Sequence, residues 1–221
     1  MTAKYSDTGF RWKMLVIAGA AVAVLLTPGL GLAGPATDQV KGTVDQVLKI
    51  LSDPTLKGEQ KTKERRAQLR KTVLERFDFS EMSKRSMGRH WSERTPVERK
   101  DFVGLFTDLL ERAYIDRVDG YTGEQILYLE ETVDGSYSEV RTKIVTKRSQ
   151  EIPIFYRLQK TDSGWTVYDI VIEGVSLVNN YRTQFSKIIR TSSYQELAKK
   201  MQAKVEGEEK AELGPPKSKV R

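Results

Sequence analysis

The chain has one histidine and no cysteine, which narrows the chemistry open to it. A nucleophile–base pair would have to join a serine or threonine to His90, and no Gly-x-Ser-x-Gly elbow presents such a serine. His90 stands beside Trp91 and reads as a surface or capping residue. One histidine without cysteine leaves no metal site of the usual nitrogen–sulfur type. The acidic residues lack calcium-loop spacing, and neither a Gly-x-Gly-x-x-Gly fingerprint nor a P-loop occurs, so no cofactor is expected. Glu130–Glu131 and Glu208–Glu209 are adjacent pairs that point apart on a strand or tail and cannot share a proton. Asp169 and Glu173 are better placed, because strand residues at even spacing face the same side and a buried pair there could act as acid and base. Against this, Glu173 precedes Gly174 at the strand end, where a carboxylate is solvated or caps the next helix. The residue types argue against an enzyme; the catalytic alternative is a small α+β pocket with Asp169 as general base.

The elements that would position these groups follow from periodicity. Residues 37 to 76 read as helical: Val40, Val44, Val47, Leu48 and Leu51 share a face until Asp53-Pro54 interrupts it. A charged helix with a narrow stripe of Leu69, Val73, Leu74 and Phe77 follows, and its basic run reads as a solvated face. Thr95-Pro96-Val97-Glu98 combines an N-cap threonine, a proline in the first turn and a capping-box glutamate. The helix it opens, to about Val118, carries Phe102, Leu105, Phe106, Leu109, Leu110 and Ala113 at helical spacing. Four strand-like runs come next, about Glu124–Thr132, Tyr137–Lys147, Glu151–Lys160 and Gly164–Glu173, separated by short polar turns. Helix then returns, with a stripe of Leu177, Tyr181, Phe185 and Ile188, and Ser193 to Glu196 form a second capping box. This order predicts an α+β fold, an antiparallel four-stranded meander packed by helices.

Counting faces by period two puts Tyr168, Ile170 and Ile172 on one side of the last strand, and Ile152, Ile154, Tyr156 and Leu158 on one side of the strand before. Val140, Thr142 and Ile144 continue that face. The helices opening at Thr95 and Ser176 are the expected cover.

The ends bear on location. Lys4, Arg11 and Lys13 precede an apolar run, Met14 to Leu26, followed by a Thr-Pro-Gly break and small residues. That is the layout of a signal peptide over residues 1–33, with cleavage after Ala33 or Ala36; an uncleaved anchor over Met14 to Ala33 is the rival reading. The formal charge of +7 becomes +5 without residues 1–33, a balance that suits an anionic membrane surface. For an exported protein no nucleic-acid partner is expected. The absence of cysteine is compatible with any compartment. Residues 34–205 form one domain, and the charged segment 206–221, with its Gly-Pro-Pro, reads as a disordered tail.

The segment "YDIVIEGVSLVNNYRTQF", Tyr168 to Phe185, resembles the hallmark of the MlaC family, periplasmic phospholipid carriers also labelled toluene-tolerance auxiliary proteins. "FDFSEMSKRSMGRHW" and "TPVERKDFVGLFTDLLERAY" are similar to the helical half of that family, and the likeness covers about residues 38 to 203. The resemblance implies a deep apolar pocket between sheet and helices, holding acyl chains with the head group at the mouth. Carried over, its lining is Tyr168, Ile170, Ile172, Ile154, Tyr156, Val140 and Ile144 from the sheet, with Phe102, Phe106 and Leu109 from the helix. Val175 and Val178 come at the strand-to-helix turn. Asn179, Asn180 and Arg182 either brace that turn or border the mouth near the phosphate. The resemblance also implies bound phospholipid as cargo, transient membrane contact, an inner-membrane ABC transporter complex and an outer-membrane lipoprotein complex as partners, and a role in outer-membrane lipid asymmetry.

Overall fold

The computed structural model describes residues 34–207 and 213–214; the apolar N-terminal run read as a signal peptide or anchor lies outside them. Helix α1 (Pro35–Ser52) begins with proline in its first turn and ends at Asp53, whose side chain accepts from Thr55 N–H and starts a single 3₁₀ turn. Helices α2 (Thr62–Arg76) and α3 (Phe79–Met87) follow, the second capped by Asp78 through Glu81 N–H. Helix α4 (Pro96–Asp119) opens on the full capping box: Thr95 Oγ1 accepts from Glu98 N–H, and Glu98 Oε2 accepts from Thr95 N–H.

Strands β1 (Gln125–Asp134), β2 (Tyr137–Val145), β3 (Glu151–Thr161) and β4 (Gly164–Ile172) pair antiparallel in sequence order. The sheet has five strands, not the four expected: Val175–Ser176 returns as β5 beside Val171 and Ile172. Glu173 (φ 49°) and Gly174 (φ 80°) are both left-handed, which is the backbone of a two-residue hairpin turn. A strand this short, buried in what reads as a helix start, has no periodicity to reveal it. Helices α5 (Leu177–Thr191) and α6 (Tyr194–Glu206) close the order, with Ser176 and Ser193 as N-caps.

Two β-bulges decide which side chains face inward. One interrupts β1 at Leu129, the other β4 at Tyr168, where Leu158 faces Val167 while Arg157 faces Asp169. An extra residue shifts the alternation, so Val167, Ile170 and Ile172 share the inner face and Tyr168 is turned outward. There Tyr168 lies under the Arg85 guanidinium, 4.0 Å from the ring centre, with Tyr137 edge-on.

Apolar side chains gather in two places. Phe102, Phe106, Tyr181 and Phe185, from α4 and α5, form an interlocked aromatic group with ring centres 5.3 to 6.0 Å apart, joined by Leu197 and Met201 of α6. A smaller group seats α1 on the inner face of the sheet through Ala36, Val40, Val140, Leu158, Trp165 and Val167. The inner face of the sheet is therefore covered by α1 and α2, with only the C-terminal half of the expected Thr95 helix across from it; the N-terminal part of α4 turns its phenylalanines toward α5 and α6. Of the segment expected to be a disordered tail, two residues are described: Leu213 is buried in the aromatic group, and Gly214 bonds Asn180 and Gln184 of α5.

Candidate functional site

The inner face of the sheet is closed at one end and open at the other. Where α1 begins, Val140, Leu158 and Val167 are fully buried, and Arg76 of α2 donates to Gln39, Thr43 and the Trp165 carbonyl, tying α1, α2 and β4 together. Further along, Ile144, Ile152, Ile154, Tyr156, Ile170 and Ile172 are only half-buried. They face a cavity of about 570 Å³, within the range of roughly 300–1,000 Å³ usual for ligand sites. Its other walls are Val44, Val47, Leu48 and Leu51 of α1, Leu69 and Val73 of α2, and Leu110, Tyr114, Ile115 and Val118 of α4. Arg117, Tyr121, Glu124 and Thr146, where α4 ends and β1 begins, add polar groups to its lining.

The wall between α2 and α4 is laced by side chains. Arg65 and Arg66 both bind Asp119, at 3.1 and 2.9 Å, and Arg66 also reaches Asp116 at 2.8 Å. Arg70 binds Asp108 at 2.8 Å and pairs with Glu111. Within the basic run expected to be a solvated face, Arg65, Arg66 and Arg70 thus form a paired ladder with the acids of α4, while Lys63 and Lys71 are exposed. Each planar guanidinium can hold two acceptors, which suits it to bridge helices whose apolar stripes are turned into the cavity.

Of the residues carried over as pocket lining, Ile144, Ile154, Tyr156, Ile170 and Ile172 face this cavity. Phe102, Phe106, Leu109 and Val178 lie in the aromatic group, Val140 lies beneath α1, and Tyr168 is on the opposite face because of the bulge. Val175 sits in β5. Asn180 Nδ2 donates to Gly214, and Arg182 stands on the exposed side of α5 across Gly88. The α1 and α2 walls were missed, although both stripes are readable in the sequence; nothing in a lone stripe says whether it meets protein or space.

Asp169 is 4% exposed and fully engaged: Ser176 Oγ donates to it at 2.6 Å, Val178 N–H at 3.0 Å and Arg157 at 3.3 Å. It anchors the first turn of α5 to β4, outside the cavity. Glu173 has left the strand for the turn, so the two carboxylates form no pair on one strand face. His90 Nδ1 lies 3.4 Å from Glu93. Among the described residues no cluster of acidic or histidine side chains is placed to hold a metal ion, and no helix is long and apolar enough to cross a membrane.

Two tyrosines of the lining bear on pH. Burial pushes Tyr156 up to about 12, and Tyr114 likewise to about 12 against a smaller opposing pull from Arg117. Both folded values exceed the ordinary tyrosine value near 10, so their contribution is complete below about pH 10 and is lost as pH rises toward about 12. Urea unfolding should show stability falling there by up to ~1.4 kcal/mol per pH unit per tyrosine, and Tyr156→Phe should flatten the slope by one residue's share. An unchanged slope in the variant would contradict this assignment.

The chain resembles a solved phospholipid-binding protein from Ralstonia solanacearum, determined in complex with a phospholipid: 27% identity, a TM-score of 0.71, and coverage of 79% of this chain and 98% of that one. It is also 22% identical over 139 residues to the intermembrane phospholipid transport system binding protein MlaC of Haemophilus influenzae. That alignment takes in 61% of this chain and 65% of the relative's own length. The MlaC protein family matches residues 41–203, from the second turn of α1 to near the end of α6, so the cavity lining apart from Val40 falls within the match. The chain belongs to the MlaC family.

Proposed function

We propose that the protein is a periplasmic carrier that holds a phospholipid with its acyl chains in the cavity and shuttles it between the inner and outer membranes, maintaining outer-membrane lipid asymmetry. The observation that carries this reading is the half-buried run of isoleucines on the inner sheet face, apolar surface that the chain's own helices leave uncovered. The dimensions fit. From Val40 to Leu51 along α1 the wall is roughly 16 Å long at 1.5 Å per residue, against about 15 Å for the acyl chains of one leaflet. The polar groups of the lining where α4 ends and β1 begins, Arg117, Tyr121, Glu124 and Thr146, are where a head group would meet water in this reading.

Burial supplies the holding energy. Two chains of about fifteen carbons at ~0.8 kcal/mol per CH₂ are worth roughly 20 kcal/mol relative to water. In a bilayer those tails are already dry, so transfer between membrane and carrier is a small difference of large terms and needs no reaction on the carrier. Direction then comes from partners at each membrane, an inner-membrane ABC transporter complex and an outer-membrane lipoprotein complex. In this reading residues 1–33 are the signal peptide removed on export, 34–205 the binding domain and 206–221 a charged tail.

The test is mass spectrometry of an organic extract of the full chain, expressed with export in a Gram-negative host, beside the same protein delipidated in detergent. Stoichiometric diacyl phospholipid in the first sample and none in the second is the expected result. Protein that is empty as purified and takes up no lipid from vesicles would overturn the proposal.

A further inference from the structure

A second recess lies on the far side of α3 and α5 and shares no lining residue with the cavity. It measures about 290 Å³ and is bounded by Met87, Arg89, His90, Arg182, Ser186 and Arg190. Arg190 is thirteen residues along α5 from Leu177, where the cavity touches that helix, or roughly 20 Å at 1.5 Å per residue. Three arginines therefore border one small concavity.

They are not there to neutralise acids. Among the described residues neither Arg89 nor Arg182 has a carboxylate partner, and Arg190 makes one hydrogen bond, to the Ser186 carbonyl at 3.3 Å. Among the described residues no acid lines the recess, and of its lining Glu93 meets only His90, at Nδ1. Unpaired like charges on one concave surface repel, and that arrangement is stable where an anion sits between them.

The floor points the same way. His90 is 6% exposed, and its Nε2 is buried without a hydrogen-bond partner. A buried polar nitrogen left unmatched costs about 1–3 kcal/mol, so such atoms normally meet a partner. With Nδ1 turned to Glu93, Nε2 accepts a hydrogen bond in the neutral ring and donates one in the charged ring. A hydrogen phosphate answers both, having P–O⁻ acceptors and a P–O–H donor. The approach of Arg182 is also built in: Gly88 takes φ 56°, and a Cβ there would stand 2.9 Å from Arg182 Nε. Glycine lets the guanidinium lie across the end of α3.

A carboxylate has two oxygens and is satisfied by one or two arginines; three arginines, an imidazole and the Ser186 hydroxyl suit a tetrahedral oxyanion. We propose that this recess is a phosphate-binding site, distinct from the acyl cavity, for free phosphate or the phosphate of a membrane-lipid head group.

The experiment is calorimetric titration of the full chain with inorganic phosphate at constant ionic strength, with chloride as the reference, alongside Arg89→Gln/Arg190→Gln. Both substitutions are at exposed positions, so the double variant should stay folded, and its lipid content by mass spectrometry should match the parent, which separates this site from the cavity. Saturable one-site binding in the parent, weakened at least tenfold in the variant, is expected. No heat beyond that of chloride, or equal affinity in both proteins, overturns the site. Flotation with phosphatidylcholine vesicles containing phosphatidic acid or phosphatidylglycerol then assigns the source. Displacement from either by inorganic phosphate places the lipid head group in the recess; phosphate binding without displacement makes free phosphate the ligand. Vesicle binding by the parent with no phosphate binding would reduce the recess to general surface charge and overturn the proposal.

Discussion

Val47→Trp combined with Val73→Trp should empty the protein of phospholipid while leaving it folded. Both valines are half-buried and point into the cavity, one from α1 and one from α2. In a filled core such enlargement costs about 1–3 kcal/mol through displaced neighbours. Here the indoles enter space, and tryptophan and valine have similar helix propensity, so the midpoint of urea unfolding should hold or rise. Space taken by indole is denied to acyl chain. If four methylenes are excluded at ~0.8 kcal/mol each, affinity falls by roughly 3 kcal/mol, about two hundredfold. Phosphorus analysis of the purified variant should find lipid reduced at least tenfold. A variant that keeps its lipid and loses stability would mean that the walls close on themselves and the cargo lies elsewhere.

Asp169→Ala should produce the largest loss of stability of any single polar substitution described above. The carboxylate is buried and receives three hydrogen bonds, two from the first turn of α5 and one from Arg157 of β3. Removing it strands Val178 N–H and uncouples the start of α5 from the sheet. Loss of a helix cap costs about 1 kcal/mol, and breaking a buried charged contact about 3–5 kcal/mol; because Arg157 is partly exposed, ~3 kcal/mol in all is expected. For a domain of this size that lowers the melting temperature by roughly 6–12 °C. Below that temperature the variant should still carry lipid, since Asp169 is outside the cavity lining. If Asp169 were a general base, its loss would abolish a turnover while the melting temperature stayed put, so one pair of measurements separates the structural role from the catalytic one.

Much of the fold is legible in the chain because local rules govern it. The capping box at Thr95, the break at Asp53-Pro54 and the four long strands fall within a few residues of where spacing puts them. What escapes is what local rules do not contain. Face assignment by period two succeeds for Ile154, Tyr156, Ile170 and Ile172, and fails at Tyr168 because a single bulge reverses the alternation there. The walls of the cavity are harder still. Phe102, Phe106 and Leu109 form a clear apolar stripe, yet it packs within the aromatic group; the stripes on α1 and α2 face the hollow. The carboxylates that receive Arg65, Arg66 and Arg70 lie more than thirty residues away, beyond the reach of any helical spacing.

The aromatic group of Phe102, Phe106, Tyr181 and Phe185 contributes no side chain to the cavity lining. The four rings and most of the hollow's lining are thus different positions, although Met82, Leu110 and Leu177 pack on the aromatic group and also line the hollow. Substitutions that widen or narrow the hollow, at Val47, Ile115, Val118 or Ile126 for instance, leave that aromatic group untouched. A lineage can then follow changes in the chain length or unsaturation of its membrane lipids one wall residue at a time, without crossing an unfolded intermediate.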